Sequence, residues 1–103
     1  MDKIAALNEI LQPDPNNAFA RYGLAMEHVS RGNPETALAE FDTLIGHSHD
    51  YVPAYQMSAQ TMVKLGRTEA ALTRLHQGIA AANRTHNQHA LAEMEAMREE
   101  LTA

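Results

Sequence analysis

The apolar positions of this chain fall into six short runs with helical spacing, separated by clusters of Gly, Pro, Asn and Asp. Phe19, Tyr22, Ala25, Met26 and Val29 recur at intervals of three and four, which gathers them on one face of a helix ending near Ser30. Ser30-Arg31-Gly32-Asn33-Pro34 then breaks the pattern. Gly32 suits a left-handed C-terminal cap, the Asn33 side chain is expected to cap the next helix, and Pro34 suits that helix's first position. The next helix is predicted from about Pro34 to Ile45, with Ala37, Leu38, Phe41, Leu44 and Ile45 as its apolar stripe and Gly46 as its end. Two more follow, from about Pro53 to Leu65 and from Thr68 to Ala82, with Gly66 at the turn. Asp2 to Gln12 reads as a leading helix. About Asn87 to Leu101 reads as a final one, with Leu91, Met94, Met97 and Leu101 on one stripe and acids on the other. The expected fold class is all-α.

Sliding the chain against itself by 34 residues brings Gly32 onto Gly66, Ala37 onto Ala71, Phe41 onto Leu75 and Ile45 onto Ile79. Leu24-Ala25 then meets Ser58-Ala59, Glu35 meets Glu69 and Leu38 meets Leu72. The matches sit at core-type positions. Small residues are needed where helices approach closely, so Ala71→Leu is expected to overpack its contact by about 1–3 kcal/mol. Leu7 and Pro15 lie 34 residues before Phe41 and His49, so the leading helix looks like the second half of a preceding repeat.

With Arg21, Leu24, Ala25, His28, Ala37, Phe41 and His49 in one copy, and Tyr55, Ser58, Ala59, Met62, Ala71, Leu75 and Asn83 in the other, the sequence resembles the tetratricopeptide repeat. Arg21 stands where a bulky aromatic is usual, and His49 and Asn83 stand where Pro often closes the repeat; these departures are expected to loosen the helix junctions. The resemblance implies a TPR-like right-handed α-solenoid of about six antiparallel helices in one domain spanning 1–103. Its parts would be a half repeat (2–17), repeat one (18–51), repeat two (52–85) and a C-terminal capping helix (86–103). The arrangement is similar to small free-standing bacterial repeat proteins.

The same resemblance implies a role, since in this family the first helix of each repeat lines a concave groove that holds a peptide or helix of a partner protein. Carried over by position, the groove residues are Phe19, Tyr22, Met26, Val29 and Ser30, then Pro53, Gln56, Gln60, Val63 and Lys64. Phe19, Tyr22 and Met26 exceed what the first helix needs for its own packing, and such exposed apolar residues mark interfaces. Some members clamp a C-terminal carboxylate with Lys, Asn and Arg; Tyr22, Met26 and Met57 hold the comparable places here, so that clamp is absent. A second expectation is self-association into a homodimer through an end helix, with Leu91 or Met94 on the covered face.

Composition narrows the remaining chemistry. The chain has 103 residues, 45% of them hydrophobic, with no Cys, which excludes a disulfide frame and a thiolate metal site and suits a reducing, cytoplasmic setting. No basic, apolar leader opens the sequence, and no stretch approaches the roughly 20 apolar residues of a membrane-spanning helix. A net charge of −5 opposes nucleic-acid binding. Its distribution is uneven, because residues 64–84 carry Lys64, Arg67, Arg74 and Arg84 against Glu69 alone.

Six histidines raise the question of a metal. His86, His89 and Glu93 stand at spacings of three and four, so on one helix they would point the same way and suit zinc or nickel. Polar residues at the start of a capping helix are the plainer explanation, and no metal or other cofactor is expected. His47-Ser48-His49-Asp50 reads as a polar turn, and His28 and His76 as residues packed at helix junctions. No nucleophile elbow, phosphate loop or His-Glu-x-x-His is present, so there is no catalytic residue to name and no enzyme is expected.

Overall fold

The computed structural model describes residues 2–103; Met1 lies outside them. Six helices follow one another: α1 (Lys3–Leu11), α2 (Ala18–Ser30), α3 (Pro34–His47), α4 (Val52–Lys64), α5 (Thr68–Arg84) and α6 (Gln88–Thr102). Among the described residues there is no strand. The chain divides into two compact units, residues 1–48 and 49–103.

Local chemistry sets the helix starts. Asp2, Asn17 and Asn87 each turn a side-chain oxygen onto a first-turn amide, of Ile4 at 3.1 Å, Ala20 at 2.9 Å and Ala90 at 3.1 Å. Asn33 does not: its side chain makes no capping bond, and Pro34, which lacks an N–H to satisfy, starts α3 without one. Gly46 does not end α3 either. The helix runs on to His47, and Gly46 keeps a negative φ.

Three helix ends close in the same way. The second residue after the helix takes a left-handed backbone, Gly32 at φ 77°, Gly66 at 75° and His86 at 58°. The next amide then reaches back, Asn33 to the His28 carbonyl at 2.8 Å, Arg67 to Met62 at 2.9 Å and Asn87 to Ala82 at 2.9 Å. His86 is therefore in a turn that favours glycine, outside α6.

In the first unit, α2 packs on both α1 and α3. Leu11, Ala20 and Leu24 form a core with Ile4 and Leu7 beside it. Gly23 faces α1, where a methyl group would meet Leu7 at an ordinary contact distance of 3.4 Å. On the other side Ala25, Ala37 and Phe41 are fully buried, so the small residues do sit where helices meet. Arg21, expected to loosen this junction, ties it instead. Its Nη1 donates to Glu40 on α3 at 3.1 Å and its Nη2 to the Pro15 carbonyl at 2.9 Å. The pair is 16% and 19% exposed, sheltered enough for the guanidinium to replace the packing of an aromatic ring. At the edge of the same unit, Arg31 reaches back to Asp2 at 2.8 Å and to Glu27 at 3.2 Å.

In the second unit, α5 packs between α4 and α6, and α4 also touches α6. Tyr55, Ala59, Ala71, Leu75, Ala82 and Met94 are buried. The closest approach is at Gly78 on α5, where a methyl group would lie 2.6 Å from Met94 Sδ and 2.7 Å from Tyr55 Cβ. The Tyr55 hydroxyl donates to the His49 carbonyl at 2.6 Å, and Arg84 donates to the same carbonyl at 3.1 Å and to Asp50 at 3.0 Å. These bonds do the work of the absent closing Pro. The buried Ser58 hydroxyl has no hydrogen-bond partner. His76 is exposed on α5 rather than packed at a junction, whereas His28 is half-buried, as expected. Met94 is core and not an open end face, which removes half of the expected self-association surface; Leu91 beside it is half-buried.

Candidate interaction cleft

An open recess lies in the second unit, along the last turns of α4 and α6. Gln60, Val63 and Lys64, at helical spacing, line it from the flank of α4 beside the buried Tyr55, Ser58 and Ala59. Met97, Glu100 and Leu101 line it from α6, where Met97 and Leu101 continue the stripe on which Ala90 and Met94 are buried. The six residues line an open cleft of about 250 Å³. Val63, Met97 and Leu101 give it an apolar floor, each half-buried, and Lys64 and Glu100 are exposed around it. Lys64 also sits in the last turn of α4, where a cation complements the helix dipole. This arrangement can hold one bulky apolar side chain with charges at hand to orient its neighbours; it offers no nucleophile or paired acid and base.

Of the residues expected to bind a partner, Gln60, Val63 and Lys64 come together in this cleft. Gln56 lies one turn earlier on α4, half-buried, and Pro53 is exposed in its first turn. Phe19, Tyr22, Met26 and Val29 belong to the first unit. There Phe19 is 80% exposed, Met26 and Val29 are half-buried and Ser30 is exposed. Tyr22 is not in excess of the helix's own needs: its ring packs on Phe41 with centroids 6.2 Å apart and planes tilted by 58°. Met97, Glu100 and Leu101 were missed. The repeat carried a signal for the first of them, since Met97 lies 34 residues after Val63.

The weak metal reading is corrected by the turn at His86. With φ at 58° His86 stands outside α6, so it does not share a helix face with His89 and Glu93. His89 pairs with Glu93 at 3.1 Å and is 87% exposed, and among the described residues no three potential ligands gather. In the His47–Asp50 turn, Asp50 is taken by Arg84.

Six consecutive helices, paired around small residues that recur every 34 positions, define an all-helical repeat protein. The family model described as tetratricopeptide repeat matches residues 28–94, and the chain belongs to that family. It is similar to a tetratricopeptide repeat domain protein from Salinibacter ruber, solved by NMR, at 34% identity and TM-score 0.80, over 85% of this chain and 89% of that one. PcrH, crystallised with the chaperone binding region of PopD, is 20% identical with a TM-score of 0.89 over 96% of this chain and 75% of its own. The TPR2B domain of yeast Sti1, solved as a complex with pHsp70, is 17% identical with a TM-score of 0.88 over 96% and 79%. No curated protein sequence matches the chain. No helix among the described residues is long and apolar enough to cross a membrane.

Proposed function

We propose that this protein is a non-catalytic interaction module, which holds a peptide or helix of a partner protein by seating an apolar side chain in the cleft along α4 and α6. The observation that carries the reading is the cleft itself. Val63, Met97 and Leu101 stay half-exposed around open space on the same two helices that bury Tyr55 and Met94. Apolar groups left uncovered beside a well-filled core are what a docking site requires. Lys64 and Glu100 would set the register through the partner's charges, and Gln56 and Gln60 would hydrogen-bond its backbone. Phe19, Met26 and Val29 are a second set of contacts on the first unit, with Tyr22 contributing its outer edge. PcrH and the Sti1 domain were each solved with a partner segment, which supports a binding role for the fold. Within this reading residues 18–51 and 52–85 act as two repeats, 2–17 as a half repeat and 86–103 as a capping helix. A bacterial cytoplasm is its proposed setting, on the likeness to the Salinibacter ruber protein.

The test is a peptide selection on the purified chain, followed by fluorescence anisotropy with the selected peptides. Val63→Ala and Met97→Ala should each weaken binding by about tenfold, the usual size of a lost apolar anchor, with helicity unchanged. Affinity equal to that of the native chain in both variants would sink the proposal.

A further inference from the structure

We infer that the cleft takes an amphoteric segment of a partner protein, one apolar side chain standing between an acid that meets Lys64 and a base that meets Glu100, an inference that rests on the cleft being a docking site. The other charges of the second unit are largely taken up within it. Asp50 meets Arg84 at 3.0 Å, Glu93 meets His89 at 3.1 Å and Glu95 meets Arg98 at 3.9 Å. Arg67 and Arg74 are engaged as well. Among the described residues, Lys64 is the one Lys or Arg of this unit with no hydrogen bond or ion pair. Glu100 has none either, although the two line the same cleft.

Two opposite charges that share a cleft without closing on each other are complementary only to a ligand that carries both signs. A uniformly acidic segment loses at Glu100 what it gains at Lys64, and a uniformly basic one the reverse. The placement of the two charges also gives the partner a direction. Lys64 belongs to the last turn of α4 and Glu100 to the last turn of α6, so the acid lies over α4 and the base over α6. Glu100 is the stronger handle. The dipole of α6 disfavours an acid in its last turn and no basic residue there offsets it, whereas Lys64 already complements the end of α4. A cation arriving at Glu100 relieves that repulsion; an anion arriving at Lys64 faces the carbonyl end of α4 and gains less. Both side chains are exposed, so both contacts weaken with salt.

A random-peptide selection run in parallel on the native chain, Lys64→Glu, Glu100→Lys and the double variant with both exchanges tests this. Circular dichroism should show all four folded alike, because neither side chain is in the core. Peptides chosen by the native chain should carry an acid and a base on either side of an apolar residue. Lys64→Glu should choose peptides with two bases, Glu100→Lys peptides with two acids, and the double variant amphoteric peptides again. In fluorescence anisotropy at low salt, either single exchange should weaken a peptide selected on the native chain by about fivefold. Salt at about 1 M should erase that difference. Peptides without the amphoteric pattern on the native chain, or the same charge pattern on all four proteins, would overturn the inference. If the selected peptides are blind to charge yet lose affinity with Val63→Ala and Met97→Ala, the interaction reading stands without it. If no peptide is retained, or none depends on Val63 and Met97, both fall.

Discussion

Met94 and Gly78 meet with no room for another atom between their helices: a methyl group on Gly78 would lie 2.6 Å from Met94 Sδ and 2.7 Å from Tyr55 Cβ. On helix propensity alone Gly78→Ala would gain about 1 kcal/mol. Overpacking costs about 1–3 kcal/mol, and here Tyr55 Cβ, fixed close to its backbone, cannot swing aside. The expected net result is a loss of about 1–2 kcal/mol and a melting temperature lower by roughly 4–12 °C. A higher melting temperature would show that the three helices are further apart than this.

His86→Gly should do the reverse. The left-handed φ of 58° costs a side-chain-bearing residue about 1 kcal/mol, and glycine takes it freely. Part of that gain is given back through the freer unfolded chain, leaving about 0.5 kcal/mol and a urea midpoint moved upward. His86→Val should lower the midpoint. Equal midpoints for the two variants would contradict the turn geometry.

Arg21→Ala is expected to destabilise the first unit by about 1–3 kcal/mol, less than a fully buried ion pair would lose because the site is partly wet. Glu40→Gln should cost less, since Arg21 keeps its bond to the Pro15 carbonyl. A double-mutant cycle with Arg21→Ala and Glu40→Ala isolates the pair, and a coupling within error of zero would mean that the bonds at 3.1 and 3.3 Å contribute no stability.

The Asp2 and Arg31 pair gives a pH signature. Asp2 is held below the usual carboxylate range, first by the Arg31 hydrogen bond and then by the Ile4 amide. A depressed acid contributes stability above its unfolded pKa, and that contribution is lost as pH falls through the folded value. The raised pKa of Arg31 acts only at extreme alkaline pH. Protection of the Ile4 amide from hydrogen exchange, corrected for the intrinsic rate, should therefore fall below about pH 4. Asp2→Asn should abolish the slope. Equal protection at pH 6 and pH 3 in the native chain would remove the pair from the account.

The helices were legible because their signals are local. Pro34, the three- and four-residue spacing and the glycines at 32 and 66 act within a turn or two, and the structure keeps all of them. Asn33 was misread since a cap needs both a suitable side chain and a free orientation, and Pro34 had already removed one amide from the demand. Arg21 was misread because its value depends on Glu40, 19 residues away, and on a backbone carbonyl that no sequence displays. The cleft was half legible. Gln60, Val63 and Lys64 followed from repeat position, whereas Met97 and Leu101 share one apolar stripe with Met94, and only the packing at Gly78 separates the buried residue from the open ones.

The division of the chain at residue 48 also has a meaning in time. The ribosome delivers about 5–20 residues per second, so residues 49–103 take several seconds to appear after α3 is complete. Helical units with mostly local contacts fold in microseconds to milliseconds. Leu24, Phe41 and the Arg21 bridge thus have time to find their partners once α3 has left the ribosome, while the end of the chain is still being made.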